Sequence, residues 1–275
     1  MWKPRILVRW LVGVALVVIL LVGGGAVMER VNQSRCRKNL QQLGLALTLY
    51  ASTNRGYYPS GTIPNPALPP ERRLSWMVQL GQISMLGAGI ELQIDPAKSW
   101  DDRVNLDVPV AVGGPGHVRF EDHLRTFPVL VCPVDRDLEN LGTLNATNYI
   151  GIGGLGEDSP ELPSGHRRAG VFGYDRITRQ SDIKDGLSAT MAVVETARTQ
   201  GGWTAGGLPT LRGLDEDRPP YLGKGGQFGG LHRGGVMVAF ADGSVRFLRE
   251  TIDPRVFESH STIAGRETIP VPSKE

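Results

Sequence analysis

The chain has 275 residues and a formal net charge of +2, with 36 glycines, 19 prolines and two cysteines. Because the net charge is small and no basic patch alternates with aromatic residues, the composition does not indicate nucleic-acid binding. The two cysteines lack a C-x-x-C or histidine-rich context, which argues against a structural zinc site. The length suits one anchoring segment and a single body of about 220 residues, and the glycines and prolines predict short strands and many loops.

The first distinctive segment, residues 10–28 (WLVGVALVVILLVGGGAVM), carries no charge. As a helix it would extend about 28 Å, close to the hydrocarbon thickness of a bilayer. We therefore predict a single-pass transmembrane helix. The basic residues within 1–9 favour a cytoplasmic N-terminus, with the body outside the inner membrane. The alternatives are a cleavable secretory signal ending near residues 24–26, and a buried helix of a soluble protein, which lacks a second long apolar helix as a partner.

The helical pattern continues without proline through residues 29–50, but its character changes to amphipathic. Apolar side chains recur at spacings of 4, 3, 4 and 3: Cys36, Leu40, Leu43, Leu47 and Tyr50. This spacing places them on one face of a helix, which we call the helix stripe. A stripe of this kind needs a globular body to cover it, and we predict that residues 51–275 form that body.

Within the body the patterns predict a proline-rich loop over residues 62–73 and an apolar, initially helical segment over 74–92. Several short strands are predicted from apolar or β-branched runs: residues 127–131, 147–154, 168–174 and 190–195. No linker divides the body into two domains.

A C-terminal hairpin is predicted from residues 236–241 and 244–249, which flank Asp242-Gly243. This dipeptide suits a two-residue turn with positive φ. The resulting register places four apolar side chains on one face: Val238, Phe240, Val245 and Phe247. We predict that this face covers the helix stripe.

His232, nine intervening residues and then Asp242-Gly243 resemble the H-x9-D-G signature of bacterial prepilin-like (type II secretion pseudopilin-like) proteins, a large family of unknown function. CRKNLQQLGLALTLYAS, TNYIGIGG and FGGLHRGGVMVAFADGSVRFL are similar to successive blocks of that family. The resemblance, which runs from the first helix almost to the end, implies an α+β, pilin-like fold with many loops. In such a fold a long N-terminal helix packs on an antiparallel sheet, facing the periplasm or the cell exterior.

The start of the chain departs from that family's pattern, because the apolar run contains no glutamate and no matching leader precedes it. In pilins that carboxylate pairs with the amino terminus of a neighbouring subunit, and an unpaired carboxylate in lipid would be costly. We therefore expect an uncleaved, anchored relative. Its expected partners are the lipid bilayer and other pilin-like or secretion-apparatus subunits.

Four side chains are candidate ligands for a divalent cation such as calcium: Asp182, Asp185, His232 and Asp242. Asp182 and Asp185 lie three residues apart and lack the ligand density of a dedicated calcium loop. Helix capping or turn formation is the competing interpretation for them. In an extended hairpin, His232 and Asp242 are separated by the length of about ten strand residues, unless the glycines beside His232 fold the loop back. A purely structural role is the alternative for this pair.

Cys36 and Cys132 are both extracytoplasmic in the predicted topology, where the setting is oxidising. The sequence leaves open whether they form a disulfide or remain two buried thiols.

The function expected from these observations is structural or interaction-based and not catalytic. One alternative is a cation- or glycan-binding module that uses the 232–242 loop and tryptophans 76, 100 and 203. A second alternative is a hydrolase, which would require an acidic or hydroxyl partner for His232 in a cleft.

Overall fold

The computed structural model describes residues 4–81, 90–92, 94–106, 110–112, 118–119, 128–135, 146–198, 201–223 and 225–265. The helices are α1 (Pro4–Thr53), α2 (Trp76–Gly81), α3 (Arg103–Leu106) and α4 (Pro254–Ser259). The strands are β1 (Ile90–Leu92), β2 (Val110–Val112), β3 (Val118–Arg119), β4 (Tyr149–Leu155), β5 (Met191–Glu195), β6 (Leu211–Leu214), β7 (Gly235–Phe240) and β8 (Val245–Arg249).

Helix α1 is the longest element, and its backbone continues without a break from Pro4 to Thr53. Its C-terminal half packs on the body through the predicted helix stripe, of which Cys36, Leu40, Leu43 and Leu47 are buried. The opposite side of the same half stays exposed at Leu45 and Leu49. The amphipathic interpretation of residues 29–50 is therefore confirmed, because one face of the helix packs on the core and the opposite face is exposed to solvent.

The predicted membrane span, residues 10–28, has most of its side chains outside the described residues. In the part of the chain that the structure describes, none of the helices combines the length and apolarity needed to cross a membrane. The transmembrane assignment therefore remains a prediction.

The main sheet has five strands in the order β6-β4-β5-β7-β8. Its β4–β5, β5–β7 and β7–β8 pairs are antiparallel, but β4 and β6 run parallel. The prediction of an antiparallel sheet was therefore wrong at this edge, and the sheet is mixed. The chain leaves β5 and crosses to the far side of β4, so β6 runs opposite to β5 and hence parallel to β4. Strands β1, β2 and β3 form a separate antiparallel sheet.

The C-terminal hairpin forms, but its register differs by one residue from the predicted one. Ala239 pairs with Val245, and the Phe240 N–H donates to the Ser244 carbonyl at 2.9 Å. The turn therefore contains three residues, ending in Gly243 at φ +82°. Since successive strand side chains point to opposite faces, this shift divides the predicted face between the two sides of the sheet. Val245 and Phe247 pack against the cluster that contains the helix stripe, as predicted, whereas Val238 and Phe240 lie in the cluster on the other side.

The sheet is buried on both faces, which explains why the hydrophobic pattern did not determine the register. The face toward α1 carries small and medium side chains: Val193, Leu211, Met237, Ala239 and Ala241. The other face packs with Phe257 of α4 and carries Ile150, Met191, Val236, Val238 and Phe240, of which Val238 and Phe240 were predicted to meet the helix. Alternation of apolar and polar residues distinguishes a buried face from a solvent-exposed face, but it does not distinguish two buried apolar faces from each other.

The other predicted strands had mixed outcomes. The predictions over 147–154 and 190–195 are confirmed, with shifted ends, by β4 and β5. The prediction over 127–131 was wrong, because its described residues form the 3-10 turn Pro128–Leu130. The prediction over 168–174 was also wrong, because this segment is irregular and makes one isolated bridge, between Gly154 and Ala169.

The helix and the hairpin turn are in contact through two glycines, Gly44 and Gly243. A Cβ added at Gly44 would lie 2.7 Å from the Gly243 carbonyl oxygen. We expect Gly44→Ala to lower the free energy of unfolding by about 2 kcal/mol, because the contact atom is backbone and cannot rotate away. Urea unfolding followed by circular dichroism measures this loss.

Gly25→Ala is the matched control on the same helix, since a Cβ there would meet nothing within 4 Å. Alanine is the better helix former by about 1 kcal/mol, so this variant should be neutral or stabilising. Equal midpoints for wild type and Gly44→Ala would contradict the proposed close contact.

Candidate functional site

A cluster of polar and sulfur-containing side chains lies where α1 first meets the body. On the helix, the stripe of buried residues extends toward the N-terminus by the same spacing through Gln33 to Glu29. Glu29 is partly buried, and its Oε1 accepts a hydrogen bond from Gln33 Nε2 at 3.0 Å. Cys36 lies two turns further along and is fully buried. The first turns of the packed half of α1 thus present a carboxylate and a sulfur to the body.

Cys132 reaches the cluster from a loop that the body and helix hold in place. Asn39 Nδ2 of α1 donates to the Val131 carbonyl at 2.9 Å, and the Cys132 N–H donates to Asn148 Oδ1 at 2.7 Å. Cys36 and Cys132 form a disulfide with a Cα–Cα distance of 5.4 Å. This covalent link joins α1 to a segment 96 residues away.

His232 and Glu195 come from the sheet. Glu195 ends β5 on the same side as Val193, because side chains two apart share a face. His232 precedes β7 and is brought back toward α1 by a tight turn, in which Gly234 has φ +77°. The side chains of His232 and Glu195 are 0% and 1% exposed, respectively.

The imidazole of His232 lies between two carboxylates. Its Nδ1 is 3.1 Å from Glu29 Oε1, which also accepts the Arg233 N–H at 3.3 Å. Its Nε2 is 3.3 Å from Glu195 Oε1 and 3.4 Å from Cys132 Sγ. The second oxygen of Glu195 accepts the Met237 N–H at 3.3 Å. His232 and the two carboxylates form a triad beside the disulfide, in which His232 and Glu195 are buried and Glu29 is partly exposed.

The contacts within this triad shift the pKa values of His232 and Glu29. Burial acts to lower the pKa of His232, but the interactions with Glu195 and Glu29 outweigh it and raise that pKa. Burial acts to raise the pKa of Glu29, and its hydrogen bonds from His232 and the Arg233 backbone together lower it instead. The ionised forms of both groups are therefore favoured in the folded protein.

Four side chains of the cluster offer ligand atoms that together could hold a metal ion: Cys36, Cys132, Glu195 and His232. Their candidate ligand atoms all lie within 4.8 Å of one another, and all four residues are buried. Soft sulfur, imidazole and carboxylate groups at such distances are able to bind a transition metal once the sulfurs are thiolates.

The aspartates predicted as cation ligands lie elsewhere. Asp182 Oδ2 accepts the Arg179 N–H at 2.8 Å, Asp185 Oδ2 accepts the Gly265 N–H at 2.8 Å, and Asp242 Oδ1 accepts the Ser244 N–H at 2.9 Å. Each therefore orders a local turn or loop. Of the four residues in that prediction, His232 belongs to the buried cluster, and it lies at the opposite end of β7 from Asp242. A calcium site at the aspartates remains a prediction.

Sequence reasoning missed Glu29 and Glu195 as partners of His232. Two signals were present. The 4,3,4,3 spacing of the helix stripe, extended toward the N-terminus, reaches Gln33 and then Glu29. Glu195 closes the otherwise apolar strand Met191–Glu195, on the face shared with Val193. A carboxylate inside an apolar face needs a partner, so its position indicated a buried pair.

The tryptophans offered as a ligand-binding surface are mainly core residues. Trp76 and Trp203 are fully buried, and Trp76 Nε1 donates to the Thr210 carbonyl at 2.9 Å. Trp100 is half-buried and donates to the Glu71 carbonyl at 2.8 Å. These residues therefore do not form a shared exposed aromatic surface.

A family model described as "Protein of unknown function (DUF1559)" matches residues 33–208 and 201–255 of the chain. The matched segments include Cys36, Cys132, Glu195 and His232, whereas Glu29 precedes them. No curated protein and no solved structure matches the chain.

Proposed function

The chain belongs to the DUF1559 family, whose description names no function, and we propose that it is a membrane-anchored, pilin-like structural or interaction protein. In this proposal residues 10–28 cross the inner membrane and the body lies on the outer side. The observation that carries the proposal is one unbroken helix, Pro4–Thr53, which contains the uncharged run and also packs on the sheet.

The way in which the body is fixed to this helix supports a structural role. The Cys36–Cys132 disulfide and the contact of Glu29 with His232 both join the body to the first turns of the packed half of α1. Further along the helix, Arg37 donates to the Val245 carbonyl at 3.2 Å. Links distributed along the helix restrict rocking of the body about it. A component that holds a domain at a fixed position and orientation requires such a restriction.

The environment of His232 favours a structural over a catalytic role in this proposal. His232 has acidic partners, as a general base would require, but its side chain has no exposed surface. A substrate must reach within hydrogen-bond distance of such a base. In the described conformation the triad is closed to a substrate, whereas a linking role needs no access.

Membrane fractionation of the full chain expressed in a bacterium tests the proposal. We expect the protein to stay in the membrane pellet after an alkaline wash, with its body digested by protease added to spheroplasts. A Val17→Arg, Leu20→Arg variant should be lost from the pellet, because each central arginine costs about 2.5–3.5 kcal/mol on insertion scales. Leu45→Arg is the matched control, since this exposed position lies on the part of α1 that packs on the body.

Mass spectrometry of the mature N-terminus completes the test. An intact Met1 in the membrane fraction supports a permanent anchor. A soluble product that starts near Val27 would overturn the proposal in favour of a secreted protein. A membrane-bound chain trimmed just before Trp10 or Leu11, with a methylated amino end, would show processing of the prepilin type.

A further inference from the structure

Two distances within the buried cluster match those between neighbouring ligand atoms of a tetrahedral metal site. Zinc binds sulfur at about 2.3 Å and nitrogen or oxygen at about 2.0–2.2 Å, so neighbouring ligand atoms in a tetrahedron lie about 3.3–3.8 Å apart. The Cys132 Sγ–His232 Nε2 distance is 3.4 Å, and the His232 Nε2–Glu195 Oε1 distance is 3.3 Å. Two edges of the tetrahedron are thus already present between side chains with no exposed surface.

The surrounding contacts orient two of these groups as ligands. A metal-bound histidine characteristically uses its other ring nitrogen to contact a carboxylate, and His232 Nδ1 lies 3.1 Å from Glu29 Oε1. Glu195 Oε2 is held by the Met237 N–H, whereas its buried Oε1 has no hydrogen-bond partner. This oxygen lies 3.3 Å from His232 Nε2 without a hydrogen bond to it, and a cation bound by both atoms would satisfy the buried oxygen.

We propose that, with Cys36 and Cys132 reduced, the chain binds one Zn²⁺ through the two sulfurs, His232 Nε2 and Glu195 Oε1, and that the disulfide is the metal-free form. Thiolate is the zinc ligand, so the S–S bond must first break. A dithiol reductant supplies the two electrons and becomes a disulfide itself, and its two protons pass to the cysteine sulfurs. Zinc then displaces these protons, and two S–Zn bonds replace one S–S bond.

The ligand set selects zinc over the calcium predicted from the sequence. Calcium takes six to eight oxygen ligands, whereas this cluster offers two sulfurs, one nitrogen and one carboxylate. Thiolate ligands favour soft or borderline metals. The cluster joins α1, a loop and two parts of the sheet, so zinc would replace the disulfide as the link between helix and body.

Zinc stoichiometry of the full chain in detergent tests this inference. One sample is kept oxidised, and the other is treated with a phosphine reductant, which becomes the phosphine oxide with oxygen from water and does not carry thiols that compete for zinc. Both are incubated with zinc chloride, freed of unbound metal by gel filtration and measured by mass spectrometry. We expect about one zinc per reduced chain, as in a closed four-ligand site, and at most about a tenth of that in the oxidised chain.

Matched variants identify the ligands. Cys36→Ser and Glu195→Gln should each lose zinc from the reduced chain, and Glu29→Gln should weaken affinity about 10–100-fold without changing the stoichiometry. Asp182→Asn and Asp242→Asn are the controls, because these residues lie outside the cluster, and they should bind like wild type. Cobalt(II) in the reduced wild-type chain should give a thiolate-to-cobalt charge-transfer band that Cys36→Ser lacks.

Equal zinc content in the oxidised and reduced wild-type chains would overturn the inference, as would an equal loss in Asp182→Asn and Glu195→Gln. If a ligand variant does not fold, as judged by circular dichroism, the wild-type comparison still decides because it involves no substitution.

Discussion

Replacing Cys36 and Cys132 together with alanine should lower the free energy of unfolding of the oxidised, metal-free protein by about 4 kcal/mol. The disulfide closes a loop between residues 96 apart in sequence, and opening a loop of this length restores much conformational freedom to the unfolded chain. Urea unfolding of the full chain in detergent with a chelator measures the change. The loss is a large fraction of the stability of an ordinary domain, so partial unfolding near 37 °C is also expected.

Reduction separates this effect from any local damage caused by the alanines. The sequence contains two cysteines, so a phosphine reductant should destabilise wild type and leave the double variant unchanged. A double variant as stable as the oxidised wild type would contradict the prediction that the link from helix to body contributes to stability.

His232→Leu should destabilise the oxidised, metal-free protein by about 3–5 kcal/mol. The substitution removes the partner of Glu195, which is 0% exposed, and an uncompensated buried charge accounts for a loss of this size. Glu29 contributes less to the loss, because its side chain is 24% exposed and water partly replaces the histidine. Urea unfolding measured with a chelator reports this change without a contribution from metal.

The double variant Glu195→Leu, His232→Leu distinguishes the pair from its individual members. Replacing both partners by apolar groups of similar volume removes the buried charge, so most of the lost stability should return. A single His232→Leu variant within 1 kcal/mol of wild type would show that Glu195 has another source of compensation. If the double variant is less stable than His232→Leu alone, the loss of stability comes from altered packing and not from the unpaired charge of Glu195.

Local patterns predicted those parts of the fold that a single element specifies. The 3.6-residue periodicity from Cys36 to Leu47 identified the buried face of α1, and the apolar runs identified β4 and β5. The hairpin register was not predictable from periodicity, because Val238 and Ala239 both lie on buried faces. The parallel pairing of β6 depends on a crossover between distant segments, for which short-range patterns hold no signal.

The candidate site was predicted only in part, because its assembly also depends on contacts between distant segments. His232 was identified from its resemblance to the H-x9-D-G signature, and Cys36 and Cys132 were identified as a potential pair from the predicted topology. Their assembly with Glu195 depends on four segments meeting at one end of the sheet. A fixed ligand spacing such as C-x-x-C makes a site visible in sequence, and this cluster has none because each ligand comes from a different segment.

The contact between Gly44 and the turn at Gly243 determines where the chain accepts inserted sequence. Hairpin tips are ordinarily favoured sites for peptide insertions because they face solvent. Here the turn backbone is in contact with α1, so an epitope tag placed between Asp242 and Gly243 would separate the hairpin from the helix. The exposed loop at Gly165, where an added side chain meets nothing within 4 Å, is the better position for a tag or fluorophore.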